Sequence, residues 1–117
     1  MTDPQPATTL ALVRDLMFGS KITATAREGA IAVRMVRDAA KLSDATGTHL
    51  LVDLNAAGFL EAASEWKART GGEVIGFVSH VDEATIARAK GAGIDRVMSN
   101  GAFTAQLPNL LDSFKSP

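Results

Sequence analysis

His49-Leu50-Leu51-Val52-Asp53-Leu54-Asn55 is an apolar run that ends on a carboxylate. Leu50, Leu51 and Val52 read as a strand covered on both faces, as parallel sheets require. Asp53 arrives where such a strand leaves the sheet. In open α/β folds the crevice at the carboxyl ends of the strands is where ligands bind. A carboxylate there can accept a phosphoryl group, hold a metal or pair with a cation. The plainer alternative is a strand-ending residue bonded to nearby backbone N–H groups.

Outward from this strand, β-type and helix-type runs alternate along the chain. Strands are expected over 9–13, 31–36, 49–53, 73–79 and 95–99, and helices over 18–28, 38–46, 59–69, 83–90 and 103–114. Ser20, Asp38 and Asp82 are the candidate caps. Gly71-Gly72 stops the third helix, and Gly91 with Gly93 stops the fourth. Pro108 is placed in the first full turn of the last helix, where its missing N–H does no harm. This alternation implies right-handed βαβ crossovers and an α/β fold, a five-stranded parallel sheet with five helices in a three-layer sandwich. The single domain is expected over 8–114, after a flexible leader at 1–7 and before a tail at 115–117.

The totals exclude several classes. The chain's 117 residues form one core, and 12 basic against 13 acidic residues leave no nucleic-acid footprint. Cysteine is absent, so disulfide and thiolate chemistry are ruled out. The polar, Pro-rich start lacks the features of a signal peptide, and no apolar run is long enough for a membrane span. A cytoplasmic location, with neither nucleic acid nor membrane as partner, is expected.

Asp53 ending the third strand and Ser79 ending the fourth resemble the receiver domain of bacterial response regulators. Ala92-Gly93-Ile94-Asp95-Arg96-Val97-Met98 is similar to the segment entering a receiver's fifth strand, and Gly101-Ala102-Phe103-Thr104 to the run beyond it. The resemblance covers roughly residues 8–114. It implies a flavodoxin-like strand order of 2-1-3-4-5 and partners such as a histidine kinase or a downstream effector. It also implies roles. Asp53 matches the phosphoacceptor, and Ser79 the switch hydroxyl, with Val78 the alternative if the register slips by one. The acid pair that holds Mg²⁺ becomes Arg14-Asp15. The family's Lys falls on Asn100, or on Ser99 or Gly101 if the loop gap lies elsewhere.

These departures point to a degenerate domain, a pseudo-receiver. Asp15, Asp53 and the Asn55 carbonyl can nominally supply oxygen ligands to Mg²⁺. Arg14 beside them weakens the attraction for a dication and can take the same carboxylate oxygens itself. Phosphoryl transfer depends on cations that spread the transition-state charge. Without the Lys, transfer and phosphate sensing should both suffer. The expectation is an interaction module that needs no cofactor, in which Arg14 pairs with Asp53 and fixes one state. A working phospho-receiver using Asp53 and Mg²⁺ is the runner-up. A third reading is a small-ligand-binding or enzymatic domain using the crevice of Arg14, Asp15, Asp53, Ser79, His80 and Asn100, with Arg14 and Ser79 holding an anion.

Other features have plain readings. His80 is an ordinary loop residue unless it titrates at the site, and His49 is structural. Gly91-Ala92-Gly93 follows a helix, the reverse of a dinucleotide-binding context. Two histidines without helical spacing argue against zinc. Leu16-Met17-Phe18 either packs under the first helix or forms a contact patch beside Asp53. Phe103, Leu107, Leu110, Leu111 and Phe114 make one apolar face that packs on the sheet, any surplus favouring a homodimer.

Overall fold

The computed structural model of the protein describes residues 8–114. The assigned leader at 1–7 and tail at 115–117 lie outside the described residues. Strands β1 (Thr9–Leu12), β2 (Val33–Val36), β3 (His49–Asp53), β4 (Glu73–Val78) and β5 (Arg96–Ser99) alternate with five helices. These are α1 (Leu16–Glu28), α2 (Ala39–Leu42), α3 (Phe59–Thr70), α4 (Glu83–Gly91) and α5 (Asn100–Ser113). Every strand pairing is parallel, in the order β2-β1-β3-β4-β5. The expected architecture and strand order hold.

The period of two along each strand divides the core into two layers. Leu10, Leu12, Leu50, Val52 and Val74 face Phe59, Ala63 and Trp66 of α3. Ala11, Leu51, Ile75 and Phe77 face Ile22 of α1 and Phe103, Leu107 and Leu111 of α5. Leu50, Leu51 and Val52 are each fully buried, at about 1.5–3 kcal/mol of burial apiece. The whole apolar face of α5, including Leu110 and Phe114, is buried in this core. Phe114 also stacks on His49 at 4.1 Å between ring centroids. Burial lowers the pKa of His49 more than Glu73 raises it. The imidazole is therefore neutral near pH 7, and its 3.7 Å approach to Glu73 is not an ion pair there.

Several boundaries move, each for a local reason. Helix α1 is capped by Asp15, whose Oδ1 accepts the Phe18 N–H at 3.0 Å, so Ser20 lies inside the helix rather than capping it. Helix α2 has only four residues and ends well before Thr46. Helix α5 starts at Asn100, not Phe103, because the Ser99 hydroxyl accepts the Ala102 N–H. Pro108 accordingly falls in the helix interior, not its first turn. There it cannot return the Thr104 carbonyl's helical hydrogen bond, and burial of Leu107, Leu110 and Leu111 on both sides holds the helix in place.

Asp95 anchors the far side. Its carboxylate accepts the Val74 N–H at 2.7 Å and the Lys67 ammonium at 2.9 Å. Burial alone would raise its pKa, but the Val74 N–H and the Lys67 charge together hold it below the usual carboxylate range. Its contribution is therefore complete above the unfolded value near ~4 and is lost as pH falls through the lower folded value. Asp95→Asn is expected to lower stability by about 1–2 kcal/mol at neutral pH. In urea melts repeated in increasingly acidic buffer, the gap from the native chain should shrink. Gly19 lies inside α1 with ordinary helical backbone, and an added Cβ would meet only the Met35 Cε at 3.5 Å. Gly19→Ala should therefore stabilise the fold by roughly 0.5–1 kcal/mol in the same melts.

Candidate functional site

Three chain crossings meet at the carboxyl edge of the sheet, and Asn55 joins them. Asp53, the last residue of β3, is 5 % exposed, so its carboxylate needs polar partners. Its Oδ1 accepts the Asn55 backbone N–H at 2.9 Å and the Asn55 Nδ2 at 2.8 Å. This is an Asx-type turn closed twice by one residue. The Asn55 Oδ1 accepts the Ser79 N–H at 2.8 Å and the Ser79 hydroxyl at 2.7 Å. Asn55 Nδ2 also donates to Asn100 Oδ1 at 3.3 Å, and Asn100 Nδ2 donates to Ser79 Oγ at 3.3 Å. Asn55, Ser79 and Asn100 thus form a closed triangle with Asp53 attached at one corner.

The turn after β3 is held from below. Leu54 N–H donates to Phe77 O at 2.9 Å, and the Leu54 side chain lies over Gly76. A Cβ on Gly76 would come within 2.6 Å of Leu54 Cδ1. The bare glycine on β4 therefore lets Leu54 settle, and Leu54 aims Asn55 across the edge. Gly58, at φ 83°, then turns the chain into α3.

The sequence-derived candidates divide between this network and its margins. Ser79, rather than Val78, contributes the hydroxyl. Of the three positions considered for the family's Lys, Asn100 enters the network, Ser99 caps α5, and Gly101 is exposed. His80 is exposed and takes no part in the triangle. The expected Arg14–Asp53 ion pair does not form. The Arg14 guanidinium carbon lies 5.3 Å from the centroid of the Phe59 ring, a cation–π contact. The ion pairs among the described residues are Lys67–Asp95 and, only if its imidazole were charged, His49–Glu73.

Arg14, Asp15, Asp53 and Asn55 nonetheless line one shallow cleft with Ala56 and Ala57. The donor set fits a magnesium ion poorly. Asp15 has one oxygen engaged by the Phe18 N–H, Asp53 has one engaged by Asn55, and a guanidinium shares the lining. Among the described residues no cluster of three or more metal-ligating His, Cys, Asp or Glu side chains occurs. Sequence reasoning considered only the Asn55 backbone carbonyl as a ligand and missed its side chain. The available signal was an amide two residues past a strand-ending Asp, opposite a Ser that ends the neighbouring strand.

Beside the cleft, Leu16 and Met17 are 69 % and 82 % exposed, while Phe18 turns inward to lie 4.8 Å from the Phe77 ring. The apolar triplet is therefore split, with its first two residues on the surface. No described helix is long and apolar enough to cross a membrane.

No family model matches the chain, and no curated protein matches it by sequence. Solved structures do match it. The BeF3-activated DrrB receiver domain superposes with a TM-score of 0.79 at 12% identity, over 94% of this chain and 97% of that one. The receiver domain of sensor histidine kinase PA1611 from Pseudomonas aeruginosa PAO1, with magnesium in its active site cleft, gives 0.75 at 16% identity over 94% and 98%. The phosphorylated cyanobacterial phytochrome response regulator RcpA gives 0.74 at 14% identity over 93% and 91%. These likenesses span nearly the whole of both chains and agree with the strand order described above. The chain has the fold of response-regulator receiver domains.

Proposed function

We propose that this domain is a pseudo-receiver, a signalling module that binds a protein partner while its own side chains hold the acceptor site in one state. The observation that carries this reading is the Asn55 amide. Its Oδ1 takes both donors of Ser79, the N–H and the hydroxyl, and its Nδ2 takes one oxygen of Asp53. A hydroxyl that would sense a phosphoryl group on Asp53 is thereby engaged by a neutral amide that is always present. Asn100 stands where the resemblance implies a cation, so the charge of a phosphoryl group would lack its compensating partner. Arg14 adds a positive charge to the cleft and lowers its attraction for a dication.

Leu16 and Met17 offer the partner an apolar contact beside this site. By the resemblance, that partner is a histidine kinase or a downstream effector in the cytoplasm of a bacterial cell. A homodimer through α5 is not supported by its large apolar residues, which are buried in the core. The small-anion reading is less well supported, since Arg14 packs on Phe59 and both donors of Ser79 are bound to Asn55.

A working receiver remains the second reading, favoured by one observation. The second carboxylate oxygen of Asp53 accepts no hydrogen bond among the described residues, and the residue lines an open cleft. In that case a phosphoryl group would pass from a phosphohistidine nitrogen to this oxygen, leaving the histidine neutral. Titrating Mg²⁺ and then beryllofluoride, while following the amide signals of Asp53, Ser79 and Asn100, separates the two. The pseudo-receiver should stay silent at millimolar Mg²⁺. Saturable shifts abolished by Asp53→Asn would overturn it. Arg14→Asp is expected to raise Mg²⁺ affinity by about tenfold or more, and an unchanged affinity would remove Arg14 from the explanation. Asn55→Ala should free Ser79, shift the Ser79 and Asn100 amides together, and cost about 1–2 kcal/mol in urea melts.

A further inference from the structure

A groove of about 350 Å³ lies between α1 and β2 and shares Asp15 with the cleft that holds Asp53. Met35 is half-buried in the groove and Gly19 has no side chain to fill it, while Ala24 is exposed along its side. Two exposed arginines line it: Arg27, in the last turn of α1, and Arg37, just past β2. Neither has a carboxylate within 4.0 Å among the described residues, in contrast to Lys67, which is paired with Asp95. The Ser20 hydroxyl on the same wall makes no hydrogen bond among the described residues, whereas the Thr23 hydroxyl donates to the Gly19 carbonyl at 2.9 Å. The single acid in the lining is Asp15, and its Oδ1 is taken by the Phe18 N–H. The groove therefore carries one net positive charge, an exposed hydroxyl and an apolar contact at Met35.

We propose that this groove is a binding site for a small organic anion, a monophosphate or carboxylate carried on a short apolar body. The guanidinium fork matches the paired oxygens of either anion and is weakly hydrated, so it gives up its water readily. The volume falls in the range of small-ligand pockets. The apolar body covers Met35 and Ala24, and the Ser20 hydroxyl donates to a remaining oxygen. Gly19 keeps the groove open at a cost in helix propensity, which Ala in its place would recover. Asp53 and Asn55 are not among its lining residues, so this inference does not rest on the receiver reading.

Phenyl phosphate is the probe, titrated without Mg²⁺ in low-salt buffer against uniformly labelled protein. The expected result is saturable movement of the Gly19, Ser20, Ala24 and Met35 amides in the low-millimolar range. Arg27→Gln and Arg37→Gln each should weaken binding by about tenfold, since each removes one fork. Gly19→Leu should abolish it. The amide spectra of these variants report whether the fold is retained. Inorganic phosphate and phenol are the two controls, and each should bind more weakly than the combined molecule. Equal binding by inorganic phosphate would overturn the apolar part of the site, and equal binding by phenol would overturn the role of the guanidiniums. Absence of saturation, or shifts confined to Asp53, Asn55 and Ser79, would overturn the proposal altogether.

Discussion

A carboxylate at the end of a strand that is covered on both sides must be solvated by the protein itself. Asp53 is in that position, at the centre of the sheet and almost without access to water. The turn that follows is organised by this need: Asn55 supplies both a backbone and a side-chain N–H to the same oxygen. Once the amide is oriented by these bonds, its oxygen faces β4 and receives Ser79. The end of β4 and the start of α5 are then positioned with respect to β3 by hydrogen bonds to one side chain. A neutral amide does this without adding charge to the cleft. The burial of Leu50, Leu51 and Val52 thus determines, several bonds away, which group Ser79 can reach.

The bonds among Asn55, Ser79 and Asn100 are neutral, and those from Asn55 to the Asp53 carboxylate are charge-assisted. A ligand shifts an equilibrium between two conformations only through unequal affinity for the two states. In this domain the Ser79 hydroxyl already has a partner in the absence of any phosphoryl group, so the gain on adding one is reduced by the bond that must be broken. The cation–π contact of Arg14 with Phe59 has a related effect. It holds a positive charge at the cleft's margin without pairing with Asp53.

The fold was legible because its signals are local and repeated. Asp38 and Asp82 cap their helices as their positions before helix-type runs imply, accepting the Ala40 and Thr85 N–H groups. The position of Asp53 followed from strand burial alone. The misplaced starts have recognisable causes. Leu16-Met17-Phe18 hides the beginning of α1, because an apolar triplet followed by Gly does not mark a helix start. Asn100 and Gly101 are poor helix formers, so the first turn of α5 was invisible until the Ser99 hydroxyl was seen to cap it. The site was legible only in part. Which residues stand near Asp53 followed from topology, but which of them touch depended on Leu54 fitting over Gly76 and on Arg14 finding Phe59, contacts between segments distant in sequence.

The strand order leaves β2 and β5 at the two outer margins of the sheet. Each is only four residues long, and each carries an exposed arginine, Arg34 on β2 and Arg96 on β5. Short, charged margins are how parallel sheets avoid templating further strands from other molecules. Charge on these short margins disfavours pairing with a further strand. The exposed surface left beside these margins is made of helices and loops.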